Sequence, residues 1–157
     1  MADRQPPRAA GDERTVLLGQ LRFQRESFAS KLDGIGDDAA RSSPVPSGTS
    51  LLWLAKHLTF AEHIWLQHRF AGRPLERSNE LEPGDTVESV VGALRAAWPA
   101  LDAIIEGGDL DARLPDPAGG ASDLDLRWVV AHLVAEVARH AGHADVLREL
   151  LDGQTGR

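Results

Sequence analysis

The chain has no cysteine among its 157 residues, which excludes disulfides, zinc–thiolate sites and a cysteine nucleophile. Any thiol in its chemistry must come from another molecule. Lysine is almost missing too: Lys31 and Lys56 are the only two. Arginine supplies the remaining positive charge without forming a basic stripe, and the formal net charge is −7 at pH 7. Phosphate backbones are held by clustered cations, so nucleic acid is excluded as the main partner. No run approaches the ~20 apolar residues that cross a bilayer. Met1 to Glu13 is polar and proline-containing, without the apolar stretch of a secretory leader. The expectation is a cytoplasmic protein with no membrane or nucleic-acid partner.

What is present is ordinary for a globular chain: 42% hydrophobic and 26% charged residues, enough for one compact domain with its own core. No run shows the period-2 alternation of a half-buried strand, whereas four stretches carry apolar residues at helical spacing. The first spans about Glu13 to Leu32, with Val16, Leu17, Leu21, Phe28 and Leu32, and ends at Gly34 and Gly36. Arg41 to Thr49, with Pro44, Pro46 and Gly48, reads as an extended linker. Thr49 or Ser50 caps a second helix, Leu51 to about Ala71. Asp85 and Thr86 open a third, from Val87 to Ile105, in which Pro99 either kinks the helix or starts a new segment. The loop Asp109 to Ala121 reads as long and solvent-facing, over the mouth of a site. Ser122 or Asp123 then caps a last helix that runs to about Leu151, before Gly153. The fold class is all-α, a four-helix bundle with long irregular connections. Residues 1–12 are expected as a disordered tail, 13–153 as the bundle and 154–157 as a second tail.

The last helix carries the chemistry. His132, Glu136 and His140 are four apart and therefore share one face at successive turns, about 6 Å apart along the axis, with His143 beside His140. Val130, Leu133, Val137 and Leu150 are the expected core positions alongside. A carboxylate on such a stripe costs several kcal/mol if left alone, so Glu136 should be protonated, paired or metal-bound. Glu and His at i and i+4 can share one ion, and a third ligand from a facing helix would complete a site with open positions. His57, among Trp53, Leu54, Phe60, Ala61 and Ile64, is that candidate. His63 lies about 120° away, and His68 shares the face of His57 but about three turns further on. The plainer reading is a core histidine and a surface pair between Glu136 and Arg139 at i+3. The four tryptophans, Trp53, Trp65, Trp98 and Trp128, read first as core fillers, with Trp128 the one that could instead line a pocket mouth.

The string Leu52-Trp53-Leu54-Ala55-Lys56-His57-Leu58, followed by Glu62 and Trp65, resembles the first ligand helix of the DinB-like (YfiT-like) superfamily of metalloenzymes. Leu126-Arg127-Trp128 through His132, then Glu136 to Glu149, is similar to the last helix of its actinobacterial mini-circle protein branch. The resemblance covers the second and last helices closely and the other two only in kind. It implies a four-helix bundle with a metal on His57, Glu136 and His140. Many members have His-x-x-x-His in the last helix; Glu136-x-x-x-His140 is the arrangement of the mycothiol-dependent maleylpyruvate isomerase branch. It further implies a low-molecular-weight thiol such as mycothiol as co-substrate, an electrophilic second substrate and a divalent metal. Zinc comes first for this ligand set, with nickel, iron or manganese admissible.

In that frame His143 is the candidate acid–base residue near the open coordination position, or a group that orients a ligand from behind. His132 either hydrogen-bonds Glu136 or stands aside. Arg139 and Arg148 are the candidate contacts for a charged cofactor or substrate, with a solvated helix face as their plain alternative. The leading expectation is a metal-dependent thiol S-transferase. A metal-dependent hydrolase, with bound water in place of the thiol, and a non-catalytic metal-binding or assembly protein are the alternatives. A homodimer fits all three.

Overall fold

A computed structural model of the chain describes residues 5–8, 10–115 and 123–155. Helix α1 (Glu13–Ala29) starts where the Asp12 carboxylate accepts from the Thr15 amide at 2.9 Å, and tightens into a 3₁₀ turn, Ser30–Leu32. A short helix, α2 (Asp37–Arg41), precedes the linker. Sequence periodicity does not reveal α2, because five residues are too few to show a repeat.

Helix α3 (Leu51–Glu62) is capped by Ser50, whose hydroxyl accepts from the Trp53 amide. It continues as π-helix over His63–Phe70. Helix α4 (Val87–Gly107) opens with a reciprocal capping box between Thr86 and Ser89 and runs unbroken through Pro99. Pro99 is exposed, so the one lost backbone bond is left on the wet side of the helix.

Helix α5 (Leu126–Asp152) is capped by Asp125, which accepts from the Trp128 amide at 2.7 Å, and ends at Gly153 with φ 75°. The cap therefore sits two residues beyond Asp123. The expectation for the preceding loop falls partly on residues 116–122, outside the described residues, as do parts of both expected tails. Among the described residues the only extended pairing is an isolated bridge between Arg113 and Asp125.

Side-chain bonds fix the topology. Arg127 near the start of α5 pairs with Glu13 at the start of α1 at 2.7 Å, and Arg148 near its end donates to the Lys31 and Asp33 carbonyls just after α1. These two helices run parallel. Lys56 near the start of α3 pairs with Asp85 just before α4, and Phe70 at the end of the π-helix lies against Gly108 at the end of α4. That pair is parallel too. Arg14 reaches the Ile105 carbonyl while Arg95 reaches Glu26, so α4 opposes α1, and α3 opposes α5 as the site below requires. The order is up, down, down, up, and the parallel α3–α4 step makes the 71–86 connection a long crossover.

Between the helices lies a core that includes Leu21, Phe28, Leu54, Leu58, Leu94, Leu101, Leu133 and Val137. It also encloses charge. Arg25 of α1 donates through Nε to Glu62 of α3 at 2.9 Å and through Nη1 to Asp102 of α4, and Arg25 and Glu62 are essentially inaccessible. Burial pushes the Glu62 carboxyl above its ordinary range, with Arg25 pulling the other way.

Leu150, expected in the core, is 57% exposed, and Val16 also faces solvent. Both stand at the edges of their stripes, where a few tens of degrees decide the side. Three of the tryptophans pack against the edge of the core rather than inside it. Trp53, Trp65 and Trp98 are half-buried and Trp128 is exposed.

Candidate metal centre

Antiparallel packing of α3 on α5 brings one imidazole from α3 against the polar stripe of α5. His57 Nε2 lies 3.3 Å and His140 Nε2 3.1 Å from the same oxygen, Glu136 Oε1. The three prospective donor atoms all lie within 4.8 Å of one another. Around a tetrahedral zinc with bonds of about 2.1 Å, neighbouring donors stand about 3.4 Å apart. The two nitrogen–oxygen separations match that spacing, and the imidazole nitrogens lie within 4.8 Å of each other. Two neutral-capable imidazoles and a carboxylate are also a chemically suitable set for a divalent first-row ion. The donor set fits the metal that the resemblance implies.

The electrostatics agree with the geometry. Burial alone would raise the Glu136 carboxyl, but the hydrogen bond from His57 and the charge and hydrogen bond of His140 outweigh it and hold the group below its ordinary value. Glu136 is thus kept as a carboxylate. Burial is the largest influence on His140 and lowers its pKa against the pull of Glu136, which favours the neutral imidazole that a metal needs.

His57 is held by its neighbours. Its ring stacks on Trp53 at 5.0 Å between centroids and meets His140 edge-on at 4.9 Å. Its Nδ1 is buried without a hydrogen-bond partner, so packing rather than a second hydrogen bond sets its orientation. His140 has such a partner, with its Nδ1 3.3 Å from Nδ1 of the exposed His143.

The other candidates are placed elsewhere. Glu136 pairs with the two histidines and not with Arg139, which is exposed. Arg148 is buried at the far end of α5, where Lys31, Asp33 and Asp152 take up its hydrogen bonds. It is not brought to the centre. His63 is buried, its Nδ1 donating to the Thr59 carbonyl at 2.7 Å, and burial lowers its pKa. His68 bonds the Arg73 carbonyl.

His132 makes no hydrogen bond to Glu136, which bonds His57 and His140. It lies flat on Trp128, 4.9 Å away at 9°, and edge-on to Trp65 at 5.0 Å. This aromatic group was not apparent from the sequence. Regular α-helical winding puts Trp65, eight residues after His57, about 80° off the His57 face. The i→i+5 winding of His63–Phe70 turns less per residue and swings Trp65 back towards α5. No hydrophobic periodicity announces that change.

Comparison with known proteins agrees with the fold. No curated protein matches the chain. Among solved structures, a conserved protein from Enterococcus faecalis superposes with a TM-score of 0.62 at 18% identity, over 92% of this chain and all of that one; at that identity the likeness is one of fold. The family model of mycothiol-S-transferase matches residues 16–153, from the first turn of α1 to the glycine that ends α5. The chain belongs to the mycothiol-S-transferase family, within the DinB-like bundles.

Proposed function

We propose that the protein is a metal-dependent enzyme that joins a mycothiol-type thiol to an electrophile, with one divalent ion on His57, Glu136 and His140. The observation that carries this reading is the convergence of those three donors from α3 and α5 on one point. Zinc is the first choice for the ion, with nickel, iron and manganese admissible. A bound divalent cation would supply Lewis-acid stabilisation of a thiolate near neutral pH. The missing cysteine fits, since the sulfur nucleophile arrives as co-substrate.

The chain's own groups have separable tasks. Glu136 supplies the one negative charge of the donor set, and the stacked Trp53 fixes the His57 ring. His143 accepts from or donates to Nδ1 of His140, and a proton held on Nδ1 leaves Nε2 free to ligate. Exposed beside His140, His143 is also the group available to move a proton. Exposed Arg139 is the candidate contact for a charged part of the co-substrate. In the transfer the sulfur–carbon bond forms as carbon's bond to its leaving group breaks. The leaving group takes the bonding pair, and the thiol proton passes to water.

The test is elemental analysis of untagged protein beside His57→Ala and Glu136→Ala, followed by turnover with and without mycothiol. Near-stoichiometric metal in the parent, its loss in both variants and thiol-dependent turnover are expected. Metal retained in both variants would refute the assignment. Turnover that ignores the thiol would point to metal-assisted hydrolysis instead.

A further inference from the structure

The aromatic group beside the centre is unusual for its position. Trp128 stacks one face on His132 yet remains 41% exposed. Trp65 packs against both at 5.3 and 5.0 Å. Trp128 is the one aromatic among the exposed large hydrophobics of the described residues, and its grouping with half-buried Trp65 is the kind of apolar patch that marks contact with a ligand. It stands near the chemistry, since His132 precedes Glu136 by one turn on the same face, about 6 Å along the axis. Trp128 lies one turn further out, about 12 Å along the axis from Glu136, so a ring held on it borders the centre and only a part of the molecule extending from that ring reaches the donors.

The patch already holds a cation. The Arg69 guanidinium lies over Trp65, 4.2 Å from the ring centroid, and makes no ion pair or hydrogen bond among the described residues. Its donors remain available for a planar carboxylate, which a guanidinium matches in geometry. A second cation on the same rings would be repelled. The π-helical winding that turns Trp65 towards α5 belongs to the same stretch that carries Arg69, so ring and charge are presented together.

We propose that Trp65, Trp128 and His132, with Arg69, form the platform for the electrophilic substrate, and that this substrate is a planar conjugated molecule bearing a carboxylate. The rings hold its face, Arg69 holds its charge at the end remote from the centre, and the electrophilic carbon belongs to a part of the molecule that extends from the ring towards Glu136 and His140. The proposal rests on the thiol-transfer reading for its purpose, but its binding claim needs neither thiol nor metal.

Calorimetric titration of the full chain with 2-naphthoate, with and without zinc and with no thiol present, tests it. Saturable binding in both conditions is expected, weakened about tenfold by Trp128→Ala and by Arg69→Gln, with Trp128→Phe close to the parent. Cyclohexanecarboxylate, which has the charge without the flat face, and 1-naphthylmethylamine, which has the face with the opposite charge, should each bind at least about tenfold more weakly. Circular dichroism and zinc content unchanged in the variants would separate a platform role from a structural one. No saturable naphthoate binding, equal binding of the amine, or affinity untouched by both Trp128→Ala and Arg69→Gln would overturn the proposal. Zinc retained by the parent in that case would leave the metal centre standing.

Discussion

At the scale of single residues, charge inside the bundle is managed in two ways. Arg25 answers Glu62 and Asp102 together; Arg22 also holds Asp102, so Arg25→Ala strands the buried Glu62. Removing one member of a buried ion pair costs about 3–5 kcal/mol, and urea unfolding of Arg25→Ala should show a loss of that order. His63 is instead kept neutral. Burial depresses its folded pKa below the ordinary 6.5, so the unfolded chain takes up a proton first as the pH falls. Stability from this group is complete above pH 6.5 and is lost progressively below it, down to the folded pKa. Thermal melts of metal-free protein from pH 8 to 5 should therefore be flat at the alkaline end and decline below 6.5. His63→Gln, which keeps a donor for the Thr59 carbonyl, should decline less. Of the three clustered groups, Glu136 and His140 were legible as a pair because four-residue spacing is a property of sequence, and His57 was legible from its place on the apolar face of α3. The partners of Arg25 were not, since Arg25, Glu62 and Asp102 lie 37 to 77 positions apart and nothing local joins them. Arg148 shows the converse: its place on α5 suggested a ligand contact, but the end of α1 meets it there and uses its donors.

At the scale of elements, periodicity found the four long helices and their caps failed by at most a few residues, as with Asp125 in place of Asp123. It could not see the π-helical stretch or α2, because one alters the winding without altering composition and the other is too short to repeat. Helix α4 offers a direct contrast between local propensity and packing. At Gly92, exposed in the middle of the helix, an added Cβ meets nothing within 4 Å. Gly92→Ala should stabilise by about 0.5–1 kcal/mol through lower chain entropy and better helix propensity. At Gly108, just past the helix end, the same Cβ would stand 2.6 Å from Leu126 Cδ2 and 2.8 Å from the Ile104 carbonyl oxygen. Backbone cannot move aside as a side-chain tip can, so Gly108→Ala should destabilise by about 1–3 kcal/mol. Chemical denaturation of the pair measures both, and opposite signs are the expected result. Equal effects would mean that α5 does not close as tightly against the α4 terminus as Leu126 indicates.

At the scale of the whole molecule, the up, down, down, up order leaves α3 and α5 antiparallel neighbours joined across the centre by His57 and Glu136. A metal on these donors would act as a clamp between the second and last helices, which are far apart in the chain. An ion that binds only the folded state stabilises it by about 2.7 kcal/mol at a free concentration one hundred times its dissociation constant. For a domain of this size that corresponds to a rise in Tm of roughly 5–10 °C. The unfolded chain offers no cysteine thiolates to compete for zinc, so little of the effect should be lost to binding in that state. Titrating metal-free protein with zinc should raise Tm by that amount, and a chelator should reverse it. His57→Ala should abolish the response, because the remaining Glu136 and His140 belong to one helix and cannot tie α5 to anything. A response that survives in His57→Ala would place the stabilising ion elsewhere, on α5 alone or among the exposed acidic groups.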